Sequence, residues 1–294
     1  MSQVSNSNTI TRNYLDSLLI ETRYMNSTNP CTEFQLYGET FASPIMTAAL
    51  SHLEHIGAPG MARGIALGAK KANCVMWYGA AEESEIEMLA DTGVKLIEII
   101  KPYKNRDLIY KKIFHAEKLG LLAVGIDIDH PFANDGSPDI VDDEEMKALT
   151  TAELAEIVGS TYLPLITKGV LSVYDAEESF KAGVKGMVVS HHNNRIEYAI
   201  PPLYVLPEIA KPMGEDVPVF VDCMIQTGMD AFKALALGAK GVCIGRPLMA
   251  AWTRGADEAV CEYLMKARDE LAKAMAYTGC TDLSKMDPGV IHRV

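Results

Sequence analysis

The chain reads as an α/β protein of the (β/α)8 barrel class with a short N-terminal helical lead-in, and three observations lead there. Short β-rich runs alternate with longer amphipathic ones from Pro44 onward, eight such runs can be counted, and successive runs lie mostly about 20 to 30 residues apart. Strands of near-continuous apolar character, each followed by a helix, imply a parallel sheet covered on its outer face. Closing that sheet into a barrel buries every strand. An open doubly wound sheet is the less favoured alternative.

In chain order, residues 1–43 are expected to form a helix (TRNYLDSLLIETRYM) and an irregular lead-in packing on the barrel, with 44–294 as one catalytic barrel. The strand candidates are 44–49 (PIMTAA), 73–77 (NCVMW), 94–100 (VKLIEII), 121–129 (LLAVGIDID), 163–167 (LPLIT), 186–190 (GMVVS), 217–222 (VPVFVD) and 240–245 (KGVCIG). Between them ESEIEMLADTG, RDLIYKKIFHAEKLG, DAEESFKAGV and MDAFKALALGA place apolar residues at i, i+3, i+4 spacing, most stopped by a C-cap glycine. One segment breaks the repeat: HPFANDGSPDIVDDEEMKALT, after the fourth strand, is long, acidic and rich in turn residues. It leaves the face where barrel sites lie, and long loops in compact domains are usually functional.

Composition narrows the function. With 48% hydrophobic residues the chain can bury a substantial core, and a net charge of -12 argues against nucleic acid, which is bound through clustered Lys and Arg. The six cysteines show no metal-site spacing and sit mostly in apolar runs, as buried thiols of a reducing compartment do. No run of about 18 apolar residues marks a membrane span, and the first residues lack the cationic start and apolar core of a leader. A cytoplasmic, soluble protein is expected.

The strand ends carry the chemistry. Asp127 and Asp129 close the fourth run, Lys168 lies just past the fifth, His191, His192 and Arg195 follow the sixth, Asp222 ends the seventh, and Gly245 with Arg246 ends the eighth. All eight C-termini of a barrel point the same way, so these residues should meet on one rim. Each has a plain structural reading too: the His-His pair as a solvated turn, Lys168 as a neutraliser of the two aspartates, the Gly-Arg-Pro run as a tight corner.

The segment ITKGVLSVYDAEESFKAGVKGMVVSHHNNR resembles the FMN-dependent 2-hydroxy-acid oxidases and dehydrogenases of lactate- and glycolate-oxidase kind. In that family a strand-end Lys-Gly is followed, one β/α unit later, by V-S-N-H-G-G-R. VPVFVDCMIQTGMDAFKALALGAKGVCIGRP likewise resembles the family's D-G-G-I-R-R-G-x-D-x-x-K-A-L-A-L-G-A-x-x-x-x-I-G-R-P. The likeness is strongest over about 160–277 and weaker at PIMTAALSHL and AVGIDIDHP. It implies FMN across the barrel mouth and a small-molecule substrate whose hydroxyl proton goes to His192, with Asp129 as the partner of that base. Arg195 would clamp the substrate carboxylate and Lys168 would place a cation beside the flavin ring. Ala49, Ser190, Asp222, Gly245 and Arg246 fall where the family touches its cofactor, the last two at the phosphate. The resemblance also implies O2 or a redox partner as electron acceptor and a homo-oligomer of four or more subunits.

The departures are chemical. The strand-three F-Q-L-Y of the family is I-E-I-I-K-P-Y here, so Glu98 stands for its flavin-bonding glutamine and Ile100 or Lys101 for its tyrosine. Asp127 replaces a threonine, Asn193 and Asn194 replace Gly-Gly after the histidine, Cys223 and Met224 replace Gly-Gly after Asp222, and Gln226 replaces a phosphate-binding arginine. Between His130 and Lys168 the only cation is Lys147, so a second substrate arginine is missing. Altered substrate with the same chemistry is the simplest inference. The loop acids Asp135, Asp139, Asp142, Asp143, Glu144 and Glu145 should disfavour small anionic acids and suit a neutral, cationic or larger substrate. A competing reading has a flavin-free barrel using Glu98, Asp127, Asp129 and His192 as a metal site for lyase, hydrolase or isomerase work. A third is a catalytically dead binding subunit.

Overall fold

The computed structural model describes residues 6–214 and 216–294. The barrel strands are β1 (Ile45–Thr47, resumed at Leu50–Ser51), β2 (Met76–Gly79), β3 (Leu96–Ile100), β4 (Ala123–Asp127), β5 (Leu165–Val170), β6 (Gly186–Val189), β7 (Val219–Val221) and β8 (Gly241–Ile244). All pair in parallel and in chain order. The first half of β1 pairs with β8 and its second half with β2, and the Thr47 amide donates to the Val75 carbonyl at 3.1 Å, so the sheet closes on itself. The helices are α1 (Ser7–Ser17), α2 (Met61–Lys71), α3 (Glu83–Ala90), α4 (Arg106–Leu119), α5 (Thr151–Gly159), α6 (Val173–Lys181), α7 (Pro202–Met213), α8 (Gly228–Ala236) and α9 (Arg246–Tyr277), the last broken at Gly255–Ala256. Among the described residues no helix is long and apolar enough to cross a membrane.

Several boundaries differ from those the sequence predicts. The opening helix begins at Ser7, where the Asn6 side chain accepts from the amides of Asn8 and Thr9, and it stops at Ser17. Leu18–Ile20 then leaves the helix to pair antiparallel with Ile291–Arg293 near the C-terminus. β2 starts three residues late because Asn73 is left-handed (φ 50°) and belongs to the turn that closes α2. β5 runs on to Val170, so Lys168 lies within the strand rather than past it.

Alternation along each strand divides two cores. Met46, Trp77, Ile97, Ile99, Ala123, Ile166, Val188, Phe220 and Cys243 fill the barrel interior, with Trp77 and Phe220 edge to face at 5.3 Å between centroids. Their neighbours in the strands face the helices. A hairpin of Phe34–Leu36 and Glu39–Phe41 adds Phe34, Leu36 and Phe41 to the interior set, and Tyr37 donates to the Lys185 carbonyl at the start of β6, so the hairpin plugs the N-terminal end.

The same parity decides where polar groups go. Asp127 follows Ala123 and Gly125 into the barrel, and Lys101 follows Ile97 and Ile99. Glu98 faces the other way, beneath α4, where its nearest cation is Lys112 at 3.9 Å. One of its oxygens is buried with no hydrogen-bond partner. Glu98 therefore lies apart from the rim residues with which the sequence grouped it.

Burial raises the Glu98 carboxyl to about 7. Because its pKa is higher folded than unfolded, the folded chain holds the extra proton between about pH 4.5 and 7, and stability falls as pH rises through that window. Urea unfolding of Glu98→Gln beside the wild type should show the variant gaining about 3 kcal/mol relative to it as pH rises from about 4.5 to above 7. A pH-independent difference would contradict the burial of this group.

Candidate active site

At the C-terminal mouth the buried carboxylate of Asp127 is gripped from two sides. Lys101, at the end of β3, donates to Oδ2 at 2.7 Å, and Lys168, on β5, donates to Oδ1 at 3.0 Å. Burial alone would raise this carboxyl, but the two ammonium groups outweigh it and hold it well below the usual carboxylate range. Lys168 is held protonated by Asp127, Asp222 and Asp129 despite its own burial.

His192 stands beside this cluster with Nδ1 3.0 and 3.1 Å from the two oxygens of Asp129. Burial would raise Asp129, yet the imidazole beside it lowers it, so an ionised carboxylate faces His192 Nδ1, which Lys168 Nζ also approaches at 3.3 Å. Room for that carboxylate comes from Gly169, left-handed at φ +90°, where a Cβ would lie 2.2 Å from the Asp129 Cγ. The Lys-Gly pair seen in the sequence thus places a cation on one side of the histidine and makes space for its partner on the other.

The other nitrogen, His192 Nε2, lies 3.3 Å from His130 Nε2, with the rings edge to face at 4.4 Å. His130 Nδ1 is 2.9 Å from Asp139 Oδ2, and the same Asp139 oxygen is hydrogen-bonded to Arg195. The loop carrying Asp139 is tied down: its hairpin (Ile140–Val141 with Glu144–Glu145) is held through the Lys104 amide to the Glu145 carbonyl and the Lys147 amide to the Pro102 carbonyl. Sequence reasoning gave no role to His130 and treated Asp139 as one acid among six. The available signal was the D-x-D-H-P run, which puts an imidazole directly behind two carboxylates.

A cavity of about 490 Å³ opens beside these groups, within the roughly 300–1,000 Å³ typical of cofactor pockets. Ala49, Lys168, His192, Asp222, Met224, Gln226, Gly245 and Arg246 line it, all expected site residues. At one end Gly245 and Arg246 begin α9, whose free amides and dipole suit a phosphate. A Cβ on Gly245 would stand 3.3 Å from that of Ala48, so the glycine lets the end of β8 pass close to β1. These residues fit a phosphorylated cofactor. Asp129, Ser190 and Arg195 border an adjacent cavity instead, and the Ser190 hydroxyl accepts from the His192 amide at 2.9 Å.

Helix α1, the segment least legible in the sequence, buttresses this mouth. Arg12 donates to both oxygens of Asp230 and to the Met224 carbonyl, Thr11 lies 2.9 Å from His191 Nε2, and the Ser7 amide donates to the Asn194 side chain.

The metal reading meets a physical obstacle. Asp127, His130 and His192 do bring ligand atoms within 4.8 Å of one another. Yet both oxygens of Asp127 already accept from ammonium groups, whose charge repels a divalent cation, and Glu98 is on the wrong side of the sheet.

The cavity, the anion-ready helix start and the oriented imidazole place this chain among barrel enzymes that hold a phosphorylated cofactor at the strand ends. A profile of FMN-dependent dehydrogenases matches residues 2–143 and 134–293. Relatives include glycolate oxidase 2 of Oryza sativa subsp. indica, 29% identical with 86% of this chain and 78% of that protein covered, and glycolate oxidase of Spinacia oleracea, 27% identical with 94% and 84% covered. A mandelate oxidase variant with (S)-mandelic acid superposes with a TM-score of 0.88 over 100% of this chain and 91% of that one, at 24% identity, which speaks for the fold. The chain belongs to the FMN-dependent dehydrogenase family: it is an FMN-dependent oxidoreductase of the 2-hydroxy-acid oxidase kind.

His130 gives this site a pH signature. Burial, with Lys101 and His192 nearby, lowers its pKa from 6.5 to about 4. A histidine harder to protonate folded than unfolded makes the unfolded chain the better proton binder between those values, so stability drops as pH falls from about 6.5 to about 4. Thermal unfolding across that range should show His130→Asn losing less stability than the wild type; an equal loss would contradict the assigned environment.

Proposed function

We propose that this chain oxidises the hydroxyl-bearing carbon of a small compound whose hydroxyl stands beside a carboxylate or carbonyl, with His192 as the base. The observation that carries the reading is the His192–Asp129 pair at 3.0 Å on the rim of a cofactor-sized cavity. FMN, when bound, supplies the acceptor for the hydride that leaves the substrate carbon.

In this reading His192 Nε2 takes the hydroxyl proton while Asp129 fixes the Nδ1–H tautomer and stabilises the cation that forms. Lys168 would face the cofactor ring as a fixed positive charge, and Gly245 with Arg246 at the start of α9 would hold its phosphate. Arg195 would orient the substrate carbonyl end. Gln226 keeps a hydrogen-bonding side chain at the cavity wall but carries no charge, which leaves Arg246 as the phosphate cation of that wall.

Two further features rest on the family resemblance: O2 or a redox partner as the final electron acceptor, and assembly into a homo-oligomer. A cytoplasmic location is supported by six unpaired cysteines, four of them buried.

The test is anaerobic mixing of the FMN-loaded protein with 2-hydroxy acids and their esters or amides, following the visible flavin band. The wild type should lose that band with at least one of them, and His192→Asn should slow the loss by about 10²- to 10⁴-fold while still binding FMN. A variant that reduces FMN at the wild-type rate would overturn the assignment of the base.

A further inference from the structure

Among the described residues, the cation that the proposed function gives to the substrate's carbonyl end is already neutralised by the protein. Arg195 Nη2 is bonded to both the Asp139 carboxylate and the Phe132 carbonyl. Asp139 is no swinging side chain: His130 Nδ1 sits 2.9 Å from Oδ2, the Ile140 amide donates to Oδ1 at 3.1 Å, and its backbone is bonded to Pro131 and Met146. Burial would raise its carboxyl, but His130 and Arg195 hold it below the usual range, so it carries its charge at neutral pH. What Arg195 has left, among the described residues, is Nη1, which makes no hydrogen bond to the protein, and Nε, which is buried and has no hydrogen-bond partner.

The other loop acids do not share this position. Glu145 pairs with Lys104, Asp135 caps the turn at Ser137, and Asp142 and Asp143 are exposed. Lys101, at the end of β3, is spent on Asp127.

From this we infer that Asp139 sets the charge class of the substrate: the site prefers a hydroxyl beside a neutral carbonyl, as in an amide, ester or ketone, over one beside a free carboxylate. A carboxylate gains most from a bidentate guanidinium fork and a net positive charge, and Asp139 removes both. A neutral carbonyl oxygen needs one donor, and Nη1, which neither Asp139 nor Phe132 engages, offers one. A free acid would also have to approach the Asp139 carboxylate, a like charge in a half-buried setting where screening is weak. The inference rests on the oxidase reading above and narrows it.

Binding of unreactive product-type ligands tests it without turnover. Pyruvate and pyruvamide, and benzoylformate and its amide, are titrated calorimetrically into the FMN-loaded wild type, Asp139→Asn and Asp142→Asn. The wild type should bind at least one amide as tightly as its acid or tighter. Asp139→Asn should tighten the acid about tenfold relative to the amide, and Asp142→Asn, the same charge change on an exposed loop residue, should move the ratio less than about twofold.

An unchanged ratio in Asp139→Asn, an equal shift in Asp142→Asn, or no binding by either pair to any of the three proteins overturns the inference. A protein with the predicted ratios that never reduces FMN with any hydroxy compound refutes the oxidase reading alone. One that reduces FMN while the ratios stay fixed refutes only the role of Asp139.

Discussion

The mouth of this barrel is organised around one buried carboxylate between two lysines. Asp127 could not stay ionised in the interior without a partner, and Lys101 and Lys168 supply one from each side. Because the three groups come from the ends of β3, β4 and β5, their pairing fixes the relative height of three neighbouring strands. It also aims Lys168 at the cofactor cavity and leaves Asp129, one turn of the strand pattern further on, for His192. Lys101 and the aspartate that replaces the family's threonine are therefore coupled, since the Asp127 carboxylate is buried and Lys101 bonds it directly.

A second constraint is conformational. The turn after β6 is left-handed at His192, Asn193 and Asn194 (φ 47°, 56° and 70°), and the turn after β7 at Cys223 and Met224 (φ 65° and 63°). The family pattern has glycine at four of these positions, where the left-handed region costs nothing; a side chain there costs roughly 1–2 kcal/mol. Asparagine tolerates it best, and here both asparagines are fixed from α1: Asn8 donates to Asn193, and the Ser7 amide donates to Asn194. Arg12 of the same helix holds the Met224 carbonyl. Helix α1 thus supplies bonds that keep glycine-type turns in place without glycine.

The barrel was legible because its signals are local and repeated: eight apolar runs, helical periods between them, and positive-φ glycines at helix ends such as Gly120. The rim was legible too, since strand direction alone sends Asp127, Asp129, Lys168, Asp222 and Gly245 to one end. Glu98 was misplaced because motif alignment matches chemistry and ignores parity, and one step along a strand turns a side chain to the opposite face. Asp129 beside His192 and Lys168 on Asp127 were legible; the second partners, Lys101 on Asp127 and His130 on His192, were not, nor was Asp139 on Arg195. Lys101 lies 26 residues from Asp127, His130 lies 62 from His192, and Asp139 lies 56 from Arg195. No local rule pairs residues so far apart; closure of the sheet does.

The dependence of the mouth on the Asp127 clasp is open to direct measurement by a double-mutant cycle of Lys101→Met and Asp127→Asn, read as unfolding free energies in urea. Each single change strands a buried charge or removes a partner, whereas the double change removes both members of the pair and leaves Lys168 beside a neutral amide. The two effects should be strongly non-additive, with a coupling of more than about 2 kcal/mol. Additivity to within about 0.5 kcal/mol would mean that the two groups do not depend on each other, and that the barrel mouth is not organised around this carboxylate.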